Sequence, residues 1–367
     1  MRLLIQPGEG VHPLVRAINS AKRNIEIVIF RCEQREIERA LASAVGRGVA
    51  VHALIAHTNR AGEESLRKLE MRFLAAGITV ARTADDLARY HSKMMIVDHR
   101  DLYVLAFNLT YSDIELSRSF GVVTRKPALV REAEQLFDAD TTRHAYESTS
   151  DQLAVSPVNA RRLLADFIRA AKKELFIYDP KISDRTMVRL LEERAAAGVD
   201  IRIIGKLTRR FDGVQVCKLS QMRLHTRTMV RDGKAAFVGS QSLRPLELDA
   251  RREVGLIFRD VKAVAAIRKT FLDDWAAATQ DGARALEPAP VDKVAKRVAK
   301  LVIKELPPVA PVLTGAVKEL VGAETGFDLD PEEVEAVVKG AVKAAVKEAV
   351  SEVVEEVVVG EEAKRSA

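Results

Sequence analysis

The sequence predicts an α/β protein built twice: two α/β/α sandwich lobes related by a pseudo-twofold axis, followed by a helical C-terminal tail. Three observations predict it. Segments recur in order along the chain, short β-branched runs alternate with stretches of helical spacing inside each copy, and the composition changes near residue 279. LLIQP (3–7) pairs with LAVSP (153–157), AKRNIEIVIF (21–30) with AKKELFIYDP (171–180), and GRGVAVHALI (46–55) with AAGVDIRIIG (196–205), all offset by 150 residues. From His91 the offset is 134: His91 with His225, Asp98 with Asp232, Gly121 with Gly255, Phe137 with Phe271. The 16 residues of difference fall in one connection, where the first half carries EESLRKLEMRFLAAG and the second half lacks it. A gap confined to one connection, with fixed register on either side, is what a duplicated domain leaves behind.

The first half reads as follows. PLVRAINSAK has helical spacing and NIEIVIF is a short apolar run of the kind a buried strand needs. EIERALASAVGRG is a helix closed by glycine, and VAVHALIA is the next strand. After the extra helix, ITVART, KMMIVD and LYVLAF read as strands, and KPALVREAEQLFDAD closes the half as a helix. Alternation of this kind predicts a mainly parallel sheet with helices on both faces. The expected division is residues 1–147, 148–278 and an Ala/Val/Lys/Glu-rich tail at 279–367. Two copies would pack as an intramolecular version of isologous pairing.

Bulk properties bound the function. A chain of 367 residues with 47% apolar content makes two domains, or one pseudo-symmetric body with an appendage. Its net charge of +6 suits an anionic partner such as nucleic acid, anionic lipid or a phosphate ester. Cys32 and Cys217 are the two cysteines, which excludes a disulfide framework and a cysteine metal cluster. Pro7 interrupts the N-terminal segment before a signal-type apolar core forms, and no apolar run reaches the roughly 20 residues of a membrane span. The expected setting is a reducing cytoplasm, with at most peripheral contact with a membrane.

The repeat contains one chemistry-bearing frame in two versions: YHSKMMIVDHRDLYVLAFNLT (90–110) and LHTRTMVRDGKAAFVGSQSL (224–243). Side chains two apart on a strand share a face, so His91 would project with Lys93 and His225 with Arg227. Asp98 and Asp232 fall at the strand end and are expected to brace loops. Asn108, after a turn and a second strand, adds an amide. Imidazole, cation and amide together suit a phosphate, with the ring free to attack phosphorus or move a proton. A twofold axis near both strands would bring two imidazoles to one phosphorus. Among other residues, Arg209, Arg210 and Arg223 could line a basic approach, and Met94, Met95 and Met229 read as core.

This constellation resembles the phospholipase D superfamily, whose signature is His-x-Lys-x4-Asp followed by Gly-Ser-x-Asn and a later Glu. The resemblance covers residues 3 to about 278 and includes the position 17 residues after each His, Asn108 and Ser242. It implies a phospholipase D-like fold, a site between the lobes, no metal or other cofactor, and a covalent phosphohistidine resolved by water or an alcohol. It further implies that His91 attacks and His225 donates the proton. The departures are Leu105-Ala106 for Gly-Ser and Ser119 for Glu in the first copy, and Arg227 for Lys and Ser242 for Asn in the second, which keeps Gly239, Ser240 and Glu253. In the family the late acid of one lobe orients the His of the other, so Glu253 would face His91, while His225 would face Ser119 and lack a carboxylate. Arg227 keeps the charge as a forked, planar donor. Leu105-Ala106 puts bulk where the family has small residues beside the phosphate.

In the tail, DKVAKRVAKLVIKEL (292–306) and the segment 330–359 each carry an apolar stripe. Either could pair with a protein partner, dock on the body or lie on an anionic membrane surface. Three functions follow from these residues: a phospholipid phosphodiesterase or phosphatidyltransferase, which is favoured; a nuclease; and a phosphate-binding scaffold without turnover. No aromatic-studded platform for single strands is visible, which weighs against the second.

Overall fold

A computed structural model describes residues 1–58, 63–219 and 221–284. The expectations for the tail segments 292–306 and 330–359 lie outside the described residues. The first half runs β1 (Arg2–Gln6), α1 (His12–Ser20), β2 (Asn24–Ile29), α2 (Arg35–Gly46), β3 (Ala50–Ile55), α3 (Glu63–Ala75), β4 (Thr79–Arg82), β5 (Arg89–Tyr90), β6 (Met94–Val97), β7 (Asp101–Leu105), α4 (Tyr111–Glu115), β8 (Ser117–Thr124) and α5 (Pro127–Thr142). The second half runs β9 (Leu153–Ser156), α6 (Ala160–Arg169), β10 (Glu174–Ile182), α7 (Arg185–Ala196), β11 (Asp200–Leu207), β12 (Val214–Cys217), β13 (Arg223–Leu224), β14 (Arg227–Arg231), β15 (Ala235–Gly239), α8 (Pro245–Asp249), β16 (Arg251–Phe258) and α9 (Val261–Arg284). The extra segment of the first half is α3.

Each half forms a mixed sheet. The first has the order β1-β8-β7-β6-β2-β3-β4 and the second places β9 and β15 beside β16, followed by β14-β10-β11-β12. Parallel pairing is confined to β2-β3-β4 and β10-β11-β12 within the halves, and the remaining ladders inside each half are antiparallel. The expectation of a mainly parallel sheet is therefore wrong. Its reason lies in the turns: β6 and β7 are separated by three residues, too few for a parallel crossover, so they form a hairpin. β1, β8, β9 and β16, absent from the strand assignments made from sequence, extend the antiparallel side.

Three apolar clusters hold the body together. One packs α1, α2 and α3 on the outer face of the first sheet, and one packs α6 and α7 on the outer face of the second. The third is shared: Val104, Phe120 and Phe137 from the first half pack with Phe176, Val254 and Phe271 from the second. Residues Met1–Thr279 form one compact unit, so the two sheets are faces of one core. Two reciprocal ion pairs cross it, one buried and one partly buried. Arg118 donates to both carboxylate oxygens of Asp274 (2.7 and 2.9 Å), and Arg252 donates to Asp140 (3.0 Å). The pairs are twins under the 134-residue offset, so the duplication built the joint as well as the lobes.

Candidate active site between the two lobes

The joint also positions the motif histidines. β5, although from the first half, pairs in parallel with β16 of the second; β13 of the second half pairs in parallel with β8 of the first. Each crossing strand ends one residue before a motif His. The His91 N–H donates to the Arg252 carbonyl (2.7 Å), and the His225 N–H donates to the Arg118 carbonyl (3.2 Å). Each imidazole is thereby delivered to the opposite lobe's strand beside position 253 or 119. His91 and Lys93 precede β6 rather than lie on it, so the shared face expected of strand neighbours does not apply to them. Lys93 instead folds back so that Nζ donates to the His91 carbonyl (2.6 Å), and Arg227 makes the matching bond to the His225 carbonyl (2.9 Å).

His91 is 8% exposed and its Nδ1 lies 2.8 Å from Oε2 of Glu253, which is fully buried. With that carboxylate ionised, the hydrogen sits on Nδ1 and the Nε2 lone pair is left for chemistry. The imidazole and the Phe30 ring form a T-shaped pair with centroids 4.5 Å apart, and Lys93 Nζ lies 5.2 Å from the Phe30 centroid. His225 is 9% exposed, and its Nδ1 lies 3.4 Å from Oδ2 of Asp113 on α4. The expectation that His225 lacks a carboxylate is not met: Asp113 approaches it where Ser119 supplies none. Asp113 accepts from the backbone N–H and Nδ2 of Asn108 (3.0 and 2.7 Å) and from Arg223 (2.6 Å). In the second half Glu247 accepts from the Ser242 N–H (2.7 Å), and Ser242 Oγ accepts from Arg227 Nε (3.1 Å). Asp113 and Glu247 each follow the Asn108/Ser242 position by five residues, a signal the repeat contained.

Burial and clustered cations set the electrostatics. Burial pushes the His91 imidazole well below its ordinary range, and Lys93 and Arg227 push it the same way. His225 is lowered by burial and then Arg227, with Asp113 opposing and Lys93 and Arg223 adding to the fall. Lys93 and Arg227 thus act on both rings, so the two half-sites share one field. Burial lowers Lys93 to about 7 and raises Glu253 to about 7. Such a site is short of negative charge: an anion entering it would neutralise the cations and let both imidazoles hold protons more readily.

The remaining expected residues separate cleanly. Asp98 accepts from the backbone N–H groups of Lys22, Arg23 and Asn24, and Asp232 from those of Lys172, Lys173 and Glu174. Both sit in left-handed turns and clamp loops. Ser240 is buried and donates to the Val254 carbonyl (3.3 Å). Leu105 faces the cluster of α1, α2 and α3, close to the site a Cβ on Gly121 would occupy, so its bulk fills apolar core. Ala106 faces the shared core. The basic approach is thinner than expected, since Arg223 is held by Asp113 and Arg209 lies 3.4 Å from Glu192.

Residues 14–141 and 164–275 match the family model described as "Cardiolipin synthase, PLD-like domain". The chain belongs to that family. It is 29% identical to a mitochondrial cardiolipin hydrolase of Danio rerio over 131 residues, 34% of this chain and 53% of that protein. It is 22% identical to a cardiolipin synthase of Listeria welshimeri over 230 residues, 51% of this chain and 48% of that protein. The chain therefore spans about half the length of the curated relatives it matches. Among solved structures it is similar in fold to a polyphosphate kinase from Porphyromonas gingivalis (TM-score 0.61, 19% identity, 74% of this chain and 49% of that one). It is also similar in fold to a phosphatidylserine synthase from Haemophilus influenzae (TM-score 0.55, 12% identity, 80% of this chain and 91% of that one). Among the described residues, no helix is long and apolar enough to cross a membrane.

Proposed function

We propose that this chain is a phosphodiester hydrolase or transferase that acts on phospholipid through a phosphohistidine on His91. The observation that carries the reading is the 2.8 Å contact between His91 Nδ1 and the buried Glu253 carboxylate, made from one lobe to the other beside two cations. The phosphodiester anion lies against Lys93 and Arg227, with Asn108 offering its second amide hydrogen and Ser242 a hydroxyl. His91 Nε2 attacks phosphorus, a P–N bond forms, and the positive ring is stabilised by Glu253 through Nδ1–H. The P–O bond to the leaving alcohol breaks, its electron pair stays on oxygen, and the His225 imidazolium supplies the proton. In the second half-reaction water or an alcohol gives its proton to the now neutral His225 and its lone pair to phosphorus. The P–N bond then breaks and His91 is regenerated. No step in this scheme uses a metal or cofactor.

Phospholipid is favoured because the family and both curated relatives carry cardiolipin in their names. Purified protein, with EDTA, should release headgroup alcohol from phosphatidylglycerol or phosphatidylcholine vesicles, or exchange it for added alcohol. Single-stranded DNA serves as the competing substrate. Protein quenched in alkaline denaturant should carry substrate-derived phosphorus on His91, stable to alkali and lost in acid, and absent from His91→Ala. DNA cleavage without lipid turnover would assign a nuclease instead, and silence on every phosphodiester with no trapped phosphate would leave a phosphate-binding scaffold.

A further inference from the structure

The second half-site departs from the first in the group that faces its imidazole. Position 119, the twin of Glu253, is a serine; its hydroxyl is buried and makes no hydrogen bond, and neither does His225 Nδ1. A buried imidazole nitrogen and a buried hydroxyl left facing nothing are each destabilising unless something nearby compensates. The carboxylate that approaches Nδ1 instead comes from α4: Asp113, at 3.4 Å. It is held by three donors, the Asn108 N–H and Nδ2 and the Arg223 guanidinium, and its own N–H is accepted by Thr110 Oγ at 3.2 Å. A carboxylate so fixed cannot swing away, and a small rotation of the His225 ring closes 3.4 Å to hydrogen-bond range.

We propose that Asp113 has taken over from position 119 as the carboxylate that orients His225 and keeps it able to carry a proton. This deepens the phosphohistidine reading and rests on it for the acid role of His225. Asp113 is a positioning residue: it touches His225, and His225 would touch the leaving oxygen. The charges acting on His225 are Arg227, Asp113, Lys93 and Arg223. Three are cations, so Asp113 is the one member of that set that favours the imidazolium. Removing its charge should move the alkaline limb of the pH–rate profile, where His225 loses its proton, to lower pH. Turnover at neutral pH should fall on the order of 10- to 100-fold, part of the roughly 100- to 10,000-fold that a positioned acid supplies.

The test combines two readouts on the full chain. Imidazole nitrogen resonances of His225, assigned with His225→Gln, report its tautomer and titration in wild type, Asp113→Asn and Ser119→Ala, with circular dichroism confirming folding. In Asp113→Asn the His225 titration should move to lower pH; in Ser119→Ala it should stay. The double variant Asp113→Ala/Ser119→Glu, which rebuilds the geometry of Glu253 with His91, should restore the titration and the alkaline limb. An unchanged His225 titration in folded Asp113→Asn would overturn the proposal even if activity fell. If wild type proves inert on every phosphodiester while the titration moves as stated, the catalytic reading fails and the Asp113–His225 assignment stands.

Discussion

Replacing Glu253 by Gln should make the protein more stable at alkaline pH and nearly inactive. The side chain is fully buried, and burial raises its carboxyl from 4.5 to about 7, with Lys93 opposing. The unfolded chain releases this proton near 4.5 and the folded protein near 7. Between those values the unfolded state binds fewer protons, so stability falls as pH rises, and the full penalty is present above 7. At about 1.4 kcal/mol per pH unit the interval corresponds to roughly 3 kcal/mol. Gln carries no charge to desolvate and its carbonyl can still accept from His91 Nδ1–H. Lys93 loses its compensating anion, which offsets part of the gain, so the net stabilisation at pH 8 should be about 1–3 kcal/mol. It should vanish near pH 4. Activity moves the other way, because the positive phosphohistidine loses its counter-charge; a loss of roughly 100- to 1,000-fold in kcat is expected, comparable to removing one preorganised electrostatic group. Urea denaturation of both proteins from pH 4 to 8, alongside headgroup release, measures both. A Glu253→Gln protein less stable than wild type at pH 8, or one that keeps its turnover, would refute the reasoning.

Other perturbations test the joint and the altered motif. Asp140→Ala strands the buried Arg252 and should cost about 3–5 kcal/mol in urea denaturation, whereas a paired replacement of Asp140 and Arg252 by apolar residues of similar volume should cost far less. Because the Arg252 carbonyl accepts the His91 N–H, Asp140→Ala should also slow phosphoryl trapping in the protein that remains folded. Arg227 and Ser242 are joined at 3.1 Å, so Arg227→Lys should lose more activity alone than in Arg227→Lys/Ser242→Asn; a double-mutant cycle should give a coupling of about 0.5–3 kcal/mol. His91 must be neutral to attack and its proton affinity is lowered by burial. The acid limb of phosphohistidine formation should therefore lie below pH 6.5, and an acid limb above that value would contradict the burial seen here.

Several parts of the site could be read from local sequence. His91, Lys93, Asn108, His225 and Glu253 were marked by the frame and its second copy, because a repeated spacing survives only where backbone geometry holds it. The clamp role of Asp98 and Asp232 followed from their place at a strand end. Asp113, Glu247, Phe30 and the ion pairs Arg118–Asp274 and Arg252–Asp140 carry no local mark, although all but Phe30 have twins or matching acids at the 134-residue offset. Their partners sit more than 100 residues away or on a short helix whose direction no periodicity reports. Leu105 differs from expectation for the same reason: sequence gives its size, and only the sheet shows that it points into apolar core.

What the chain declares by itself is the duplication, the paired His motifs and the alternation that makes an α/β body, since these depend on spacing and residue type. Which His meets which acid belongs to the tertiary structure. β5 and β13 each leave their own half to pair with a strand of the other, and that exchange sends His91 to Glu253 and His225 to Ser119 and Asp113. The choice depends on hydrogen bonds between residues far apart in sequence, whose energies are settled only when both sheets close on one core.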